Sequence, residues 1–304
     1  MNKFEGTILV IISAIGYGLM PFFAHFAAVG NATVETMLLG RFFITFLLLV
    51  PFLLGSRTSV RITLKQFFIL TIITLVGLVA TTQMLFYSYR MIPISRATAL
   101  HFIYPVAVVI YAVFLKLERI TWSKIIALFL GVIGVWFLVN NSTGEIGNLW
   151  GVTFAIFSGI TYAVYVVGVA LPSINRINIW VISFYTSMIA SISYFCLAIF
   201  RAKLVLDIAP VGWGAIIGLA IFSTFIAQLL FIKGVAIIGP FRAAVLSTFE
   251  PLVGILMGLI VFHEVLGFTN ILGVFLIVSA LVLVILGREK SRKKITNNYK
   301  IKVR

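Results

Sequence analysis

GTILVIISAIGYG, residues 6–18, and GVTFAIFSGITYA, residues 151–163, are two versions of one apolar segment. At a shift of 145 residues Gly6 falls on Gly151, Ser13 on Ser158 and Tyr17 on Tyr162, and the same shift pairs Gln83 with Gln228, Leu85 with Leu230 and Phe86 with Phe231. One residue is then gained, and a shift of 146 pairs Arg96 with Arg242, Ala97 with Ala243, Leu100 with Leu246, Pro105 with Pro251 and Glu118 with Glu264. A register held across four segments marks an internal repeat, and the repeat governs how the rest of the chain is read.

The repeat lies in a chain whose residues are 62% hydrophobic and only 10% charged. An ordinary soluble domain carries roughly 25% charged residues. Ten apolar segments can be placed, at about 6–27, 33–54, 66–89, 93–115, 122–139, 149–170, 178–200, 211–233, 240–262 and 267–286. Most approach the ~20 residues that a helix needs to cross a bilayer. The connections between them are short, so no soluble domain is expected. The first segment follows Lys3 and could pass for a signal peptide, but its length and its match to 151–163 identify it as a retained span. Cys196 is the only cysteine, so no disulfide forms within the chain.

Each copy of the repeat holds five spans, an odd number, so the second copy enters the membrane from the side opposite to the first. The expected fold is therefore an all-α polytopic membrane protein with ten transmembrane helices in two inverted five-helix repeats around a central cavity. The repeats cover residues 1–143 and 144–287, and a basic tail follows at 288–304. With the N-terminus inside, eighteen basic residues fall on the inner side and four on the outer, with Arg41 inside a span. The positive-inside rule then puts both termini in the cytoplasm and the protein in the cell membrane. The REKSRKK tail reads as a topology anchor beside anionic head groups rather than as a nucleic-acid site.

Within the spans a few polar groups require an explanation. Glu250 sits in the middle of the apolar run from Ala243 to Phe262. Pro251 beside it withholds a hydrogen bond from the Ser247 carbonyl four residues back, which predicts a carboxylate, a freed carbonyl and the Ser247 hydroxyl on one helical turn. In the first copy Pro105 does the same to His101, with Tyr104 in the place of the acid. Glu250 suits a substrate amine or a proton. A structural acid paired with Arg242 or Arg41 is the competing role. Tyr17, Tyr162 and Tyr165 lie well inside their spans, and Ser158, Tyr162 and Tyr165 share a helix face, so they are expected to line the cavity. Gln83 and Gln228, related by the repeat, are expected to approach the same space, with interhelical bonding as the alternative. His101 reads as a helix–helix hydrogen bonder or a proton carrier, and Arg41 as a snorkelling or bundle-facing structural charge.

The segments SRATALHFIYPVAVVIYAVFLKLERIT (95–121) and GPFRAAVLSTFEPLVGILMGLIVFHEVL (239–266) resemble the two copies of the EamA-type domain of the drug/metabolite transporter superfamily. The resemblance rests on Arg96-Ala97 and Arg242-Ala243 entering the span, Tyr104-Pro105 and Glu250-Pro251 in its middle, and Glu118 and Glu264 just past its end. It implies ten helices in two halves, a central cavity and transport of small metabolites, often outward. The small four-helix members of that superfamily carry a coupling carboxylate in their first helix, whereas the first span here has none.

Enzyme chemistry finds no foothold in this sequence. No phosphate-binding GxxxxGK[ST] occurs, His263-Glu264 is not followed by a second metal-spaced His, and no nucleophile stands beside a base. No cofactor or metal is expected; the partners are the lipid bilayer and a small-molecule substrate, with no nucleic acid. The function that follows is a secondary transporter of small polar metabolites such as amino acids or amine-bearing compounds. A passive channel is the alternative, and an enzyme on a lipid-linked substrate is disfavoured because neither a catalytic constellation nor a large exposed loop is present.

Overall fold

A computed structural model describes residues 3–55, 58–92, 94–117, 121–139, 148–261 and 267–286. Glu118, Glu264, the 140–147 connection and the basic tail lie outside the described residues. A lipid-facing segment satisfies its backbone only as a helix or within a closed barrel. The described chain takes the helical solution in the order α1 (Lys3–Gly18), α2 (Met20–Val29), α3 (Val34–Gly55), α4 (Leu64–Thr74), α5 (Ala80–Met91), α6 (Ile94–His101), α7 (Tyr104–Phe114), α8 (Trp122–Val139), α9 (Leu149–Val169), α10 (Ile179–Phe200), α11 (Pro210–Ala220), α12 (Ala227–Ile238), α13 (Pro240–Leu246), α14 (Glu250–Val261) and α15 (Phe268–Leu286). Polar residues at the membrane edges start several of them. Thr63 and Gln66 form a reciprocal cap on α4, and the Asn148 and Asn178 side chains accept from Trp150 N and Trp180 N at the heads of α9 and α10.

Six stretches are long and apolar enough to cross a bilayer: Lys3–Val29, Val34–Gly55, Leu64–Met91, Leu149–Val169, Ile179–Phe200 and Pro210–Ile238. Tyr104–Phe114, Lys124–Phe137 and Ile271–Ala280 are shorter apolar helices. The segments expected as continuous at 93–115 and 240–262 are both interrupted. In the first, Phe102 and Ile103 separate α6 from α7; in the second, a 3₁₀ turn at Ser247–Phe249 separates α13 from α14. The cause is the repeat-related pair Pro105 and Pro251, each at the second position of the helix that follows the break.

The two breaks dispose of their carbonyls differently. His101 O rests against α9, so close to Gly159 that a Cβ there would stand 2.4 Å away. Ser247 O is not freed as the sequence suggests, because the N–H of Glu250 reaches it and tightens the turn to 3₁₀.

Besides the turn at Leu19 within Lys3–Val29, two π turns lie in the long spans. A π turn at Leu75–Val79 joins α4 to α5, and another at Ile221–Ile226 joins α11 to α12. At the 145-residue shift the first falls on 220–224, so the two bulges are related by the repeat. Each loosened ladder is closed by the other half. Tyr194 of α10 donates to Val79 O at 2.7 Å, and Arg41 of α3 donates to Ser223 O at 3.0 Å.

The halves interpenetrate. Helix α1 packs on α12, α3 on α10, α5 on α9 and α8 on α15. Gly77, in the first π turn, makes the α5–α9 approach possible: a Cβ there would stand 2.5 Å from Tyr165 N. Ser13 Oγ, on the other side of the repeat, donates to Ala227 O at 2.7 Å.

Backbone atoms at Tyr165 cannot step aside as a flexible side chain could. Gly77→Ala should therefore destabilise the protein by about 1–3 kcal/mol, the range for overpacked interiors. Gly214, also helical, has nothing within 4 Å of its would-be Cβ. Gly214→Ala should melt at or above the wild-type temperature, because alanine is favoured over glycine in a helix by about 0.5–1 kcal/mol. Thermal unfolding of the two variants in detergent checks this, and equal melting contradicts the packing described.

Candidate functional site

The repeat brings its own equivalent residues face to face. Tyr17 of α1 and Tyr162 of α9 flank the same ring, Phe231 of α12. Tyr104, at the head of α7, meets Tyr162 edge to face with centroids 4.9 Å apart. His101 packs 5.4 Å from Tyr104 and 5.5 Å from Tyr162. Tyr165 stacks on Tyr162 at 6.1 Å, and Phe231 closes over both Tyr17 and Tyr162 at 6.0 and 6.3 Å.

Across this aromatic wall stands the second break. Ser247 Oγ and Tyr104 Oη are both buried, and neither lies within hydrogen-bonding geometry of any described partner. Glu250 is within electrostatic reach of Tyr17, Tyr104 and Tyr162. Its Oε1 atom is buried with no hydrogen-bond partner. Since Tyr104 and Glu250 are equivalent positions, as are His101 and Ser247 and Tyr17 and Tyr162, the cluster lies where the two halves are mirrored onto each other.

Seven of the nine residues singled out from the sequence thus share one neighbourhood: Tyr17, His101, Tyr104, Tyr162, Tyr165, Ser247 and Glu250. His101 takes the helix-bonding role, with Nδ1 2.8 Å from Ser158 Oγ. The Ser158 hydroxyl already donates to Ala155 O at 2.6 Å, so the His101 Nδ1–H must be the donor. The remaining two residues, Gln83 and Gln228, have diverged. Gln228 donates to Thr186 Oγ1 at 2.7 Å, whereas both amide atoms of Gln83 are buried without a partner.

Several contributors escape sequence reading. Tyr89 is within electrostatic reach of both Glu250 and Arg41. Tyr194 ties to Thr82 at 2.6 Å. Ser183 and Ser187 of α10 carry buried, unpartnered hydroxyls. Their spacing of four residues along one helix face was the available signal. Arg41 does not snorkel. It is 2% exposed, and Nε donates to Thr224 Oγ1 at 2.6 Å while the guanidinium lies 5.0 Å from the Phe42 ring centroid. Among the described residues it has no carboxylate partner, so pairing with Glu250 is not the reason for the acid.

A bundle of apolar helices in two interlocked repeats, with polar groups meeting at their seam, defines a multi-pass membrane protein. The chain belongs to the EamA-like transporter family, whose model matches it twice, at residues 4–140 and 149–286. It is 27% identical over 285 residues to an uncharacterized transporter of Archaeoglobus fulgidus, covering 91% of this chain and 95% of that one. A solved crystal structure shares the fold with a TM-score of 0.77 at 15% identity, covering 92% of this chain and 98% of its own.

The divergence of the glutamines has a measurable consequence. Gln228→Leu breaks an interhelical bond and should lower stability by about 0.6 kcal/mol, the average for such bonds in membranes. Gln83→Leu removes an amide that bonds nothing and should leave the melting temperature unchanged or raised. Equal losses in the two variants contradict this assignment.

Proposed function

We propose that the protein is a secondary transporter that moves small polar metabolites, amino acids or other amine-bearing compounds, by alternating access. In this reading ten helices in two inverted halves, residues 1–143 and 144–287, rock about the seam. The protein sits in the cell membrane with both termini and the basic tail in the cytoplasm. The outward direction rests on the family resemblance. The neighbourhood of Glu250 binds the substrate, with Ser247, Tyr17, Tyr104, Tyr162 and Tyr165 around it and Gln83 and Gln228 at its margin.

One observation carries the reading. Glu250 Oε1, Tyr104 Oη, Tyr165 Oη and Ser247 Oγ are buried and unpartnered. Buried polar groups are nearly always satisfied, so a concentration of exceptions calls for an occupant. A carboxylate oxygen and hydroxyls left without partners suit a substrate ammonium, which has three donors and no acceptor. Hydrogen bonds join the halves at both ends of α3. Thr33 Oγ1 donates to Lys203 O at 2.6 Å at one end, and Gln66 Nε2 to Ser173 O at 3.0 Å near the other. Such contacts are what a rocking motion would make and break in turn.

Glu250→Gln tests the proposal, because it keeps size and hydrogen bonding while removing charge and titration. The variant should reach the membrane in near-normal amount and lose counterflow of radiolabelled amino acids in proteoliposomes. The wild-type rate should vary with pH in a way the variant lacks. Normal counterflow by a well-folded variant, with the wild-type pH profile intact, removes Glu250 from the mechanism. Ohmic conductance in place of saturable counterflow replaces the transporter by a channel.

A further inference from the structure

The second intramembrane charge has no counterpart in the reading just given. Arg41 lies two turns inside α3, and at the 145-residue shift its position in α10 is taken by Thr186. Helices α3 and α10 hold the same register, Val34–Gly55 and Ile179–Phe200. The cation is therefore a feature of one half only, as the acid Glu250, set against Tyr104, is a feature of the other. The two repeats have diverged to opposite charge at two places around one seam.

Arg41 is held but not neutralised. A guanidinium has five N–H donors. Three described contacts engage it: Nε to Thr224 Oγ1 at 2.6 Å, one terminal nitrogen to Ser223 O at 3.0 Å and the other to Met20 Sδ at 3.2 Å. Two of these acceptors are neutral oxygens and the third is a weakly accepting thioether. That leaves two N–H bonds with no acceptor among the described residues. The described acids lie elsewhere: Glu35 bonds Tyr87 and Arg201, Glu5 lies 4.0 Å from Lys233, and Asp207 is exposed. Glu250 keeps Oε1 unpartnered. The two charges thus do not cancel each other, yet both border the junction of α1 and α2: Arg41 reaches Met20 Sδ at 3.2 Å, and Glu250 O lies so close to Gly18 that a Cβ there would stand 2.8 Å away. A buried unpaired charge is costly, and a bidentate carboxylate is the partner that a guanidinium fork fits best.

We infer that Arg41 is the specificity-determining partner of Glu250, receiving the carboxylate of a substrate whose ammonium faces the acid, so that the transported compound carries both groups. This inference rests on the amine reading of Glu250. A substrate that brings one charge of each sign compensates both poles together and enters without adding net charge to the interior. The contacts of Nε to Thr224 and of a terminal nitrogen to Ser223 O anchor the fork on the π turn, fixing the direction its remaining donors face. Arg41 is thereby held rigid from the half opposite its own.

The test uses the purified protein in nanodiscs and reads binding by thermal shift and equilibrium dialysis. The probes are the common amino acids, each beside the amine left by its decarboxylation. The wild type should bind at least one amino acid tenfold or more tightly than the matching amine. Arg41→Gln should reduce that preference to near unity while leaving the amine's own affinity unchanged, and Arg41→Lys, which keeps the charge but loses the fork, should give an intermediate ratio. A purely structural arginine would lower affinity for both members of a pair equally. Amines binding wild type as tightly as their amino acids, or a preference that survives Arg41→Gln, overturns the inference. The wild-type ratio decides the matter even if the glutamine variant fails to fold. Glu250→Gln separates the two readings: if it abolishes amine binding while wild type shows no preference for the carboxylate, the amine site stands and the role of Arg41 falls. If no probe binds wild type, both fall.

Discussion

A helix that departs from its regular ladder inside a membrane must give each displaced carbonyl another partner, because lipid offers none. Among the described residues, besides the turn at Leu19 between α1 and α2, this chain departs from the ladder at two pairs of places related by the repeat: the π turns at Leu75–Val79 and Ile221–Ile226, and the breaks before Pro105 and Pro251. The partners for the π turns come from the opposite half, as Tyr194 on Val79 O and Arg41 on Ser223 O. Irregularity in one repeat is thus stabilised by a side chain of the other, and the two halves hold each other in register. The same exchange leaves side chains at the seam, where Tyr17 and Tyr162 share Phe231 and Tyr104 packs on Tyr162, and there Tyr104 Oη, Ser247 Oγ and Glu250 Oε1 stay unpartnered. Unpartnered polar atoms gathered at such a seam are what the proposed binding site between two moving bodies requires.

The proline breaks explain why that spot lies where it does. Each break ends one short helix and starts another within the span, so Tyr104 and Glu250 both sit at a helix head. On the first half the loosened His101 carbonyl lies against Gly159, and the His101 ring is tied to Ser158. On the second half the 3₁₀ turn absorbs the Ser247 carbonyl, while the Ser247 hydroxyl and Glu250 Oε1 are without partners. At the position shared by His101 and Ser247 one copy is tied into the scaffold and the other leaves its hydroxyl unpartnered, although both follow one pattern.

Much of this was legible in the sequence. The 145-residue shift, the paired prolines and the tyrosines at matching depth lead to an all-helical, two-repeat membrane bundle and to seven residues that do cluster. The π turns were not legible. LVGLV and IFSTFI contain no proline, and a one-residue widening of a helix is decided by packing against the other half, which no local pattern records. For the same reason Arg41 reads as a generic membrane charge until its acceptors on the second π turn are seen. The equivalence of Gln83 and Gln228 misleads in the opposite direction. Identical residues at repeat-related positions have different surroundings, because Gln228 finds Thr186 and Gln83 finds nothing.

The central claim is that the two halves move against each other around the seam, opening one end while the other is closed. Paired cysteines test it most directly in a background with Cys196 replaced: Thr33 with Lys203 at one end, and Gln66 with Ser173 at the other, positions already joined by hydrogen bonds. Oxidative cross-linking of either pair should stop counterflow in proteoliposomes, and reduction should restore it, because each cycle must part both ends. Counterflow that continues at the wild-type rate with either end fully cross-linked would contradict alternating access.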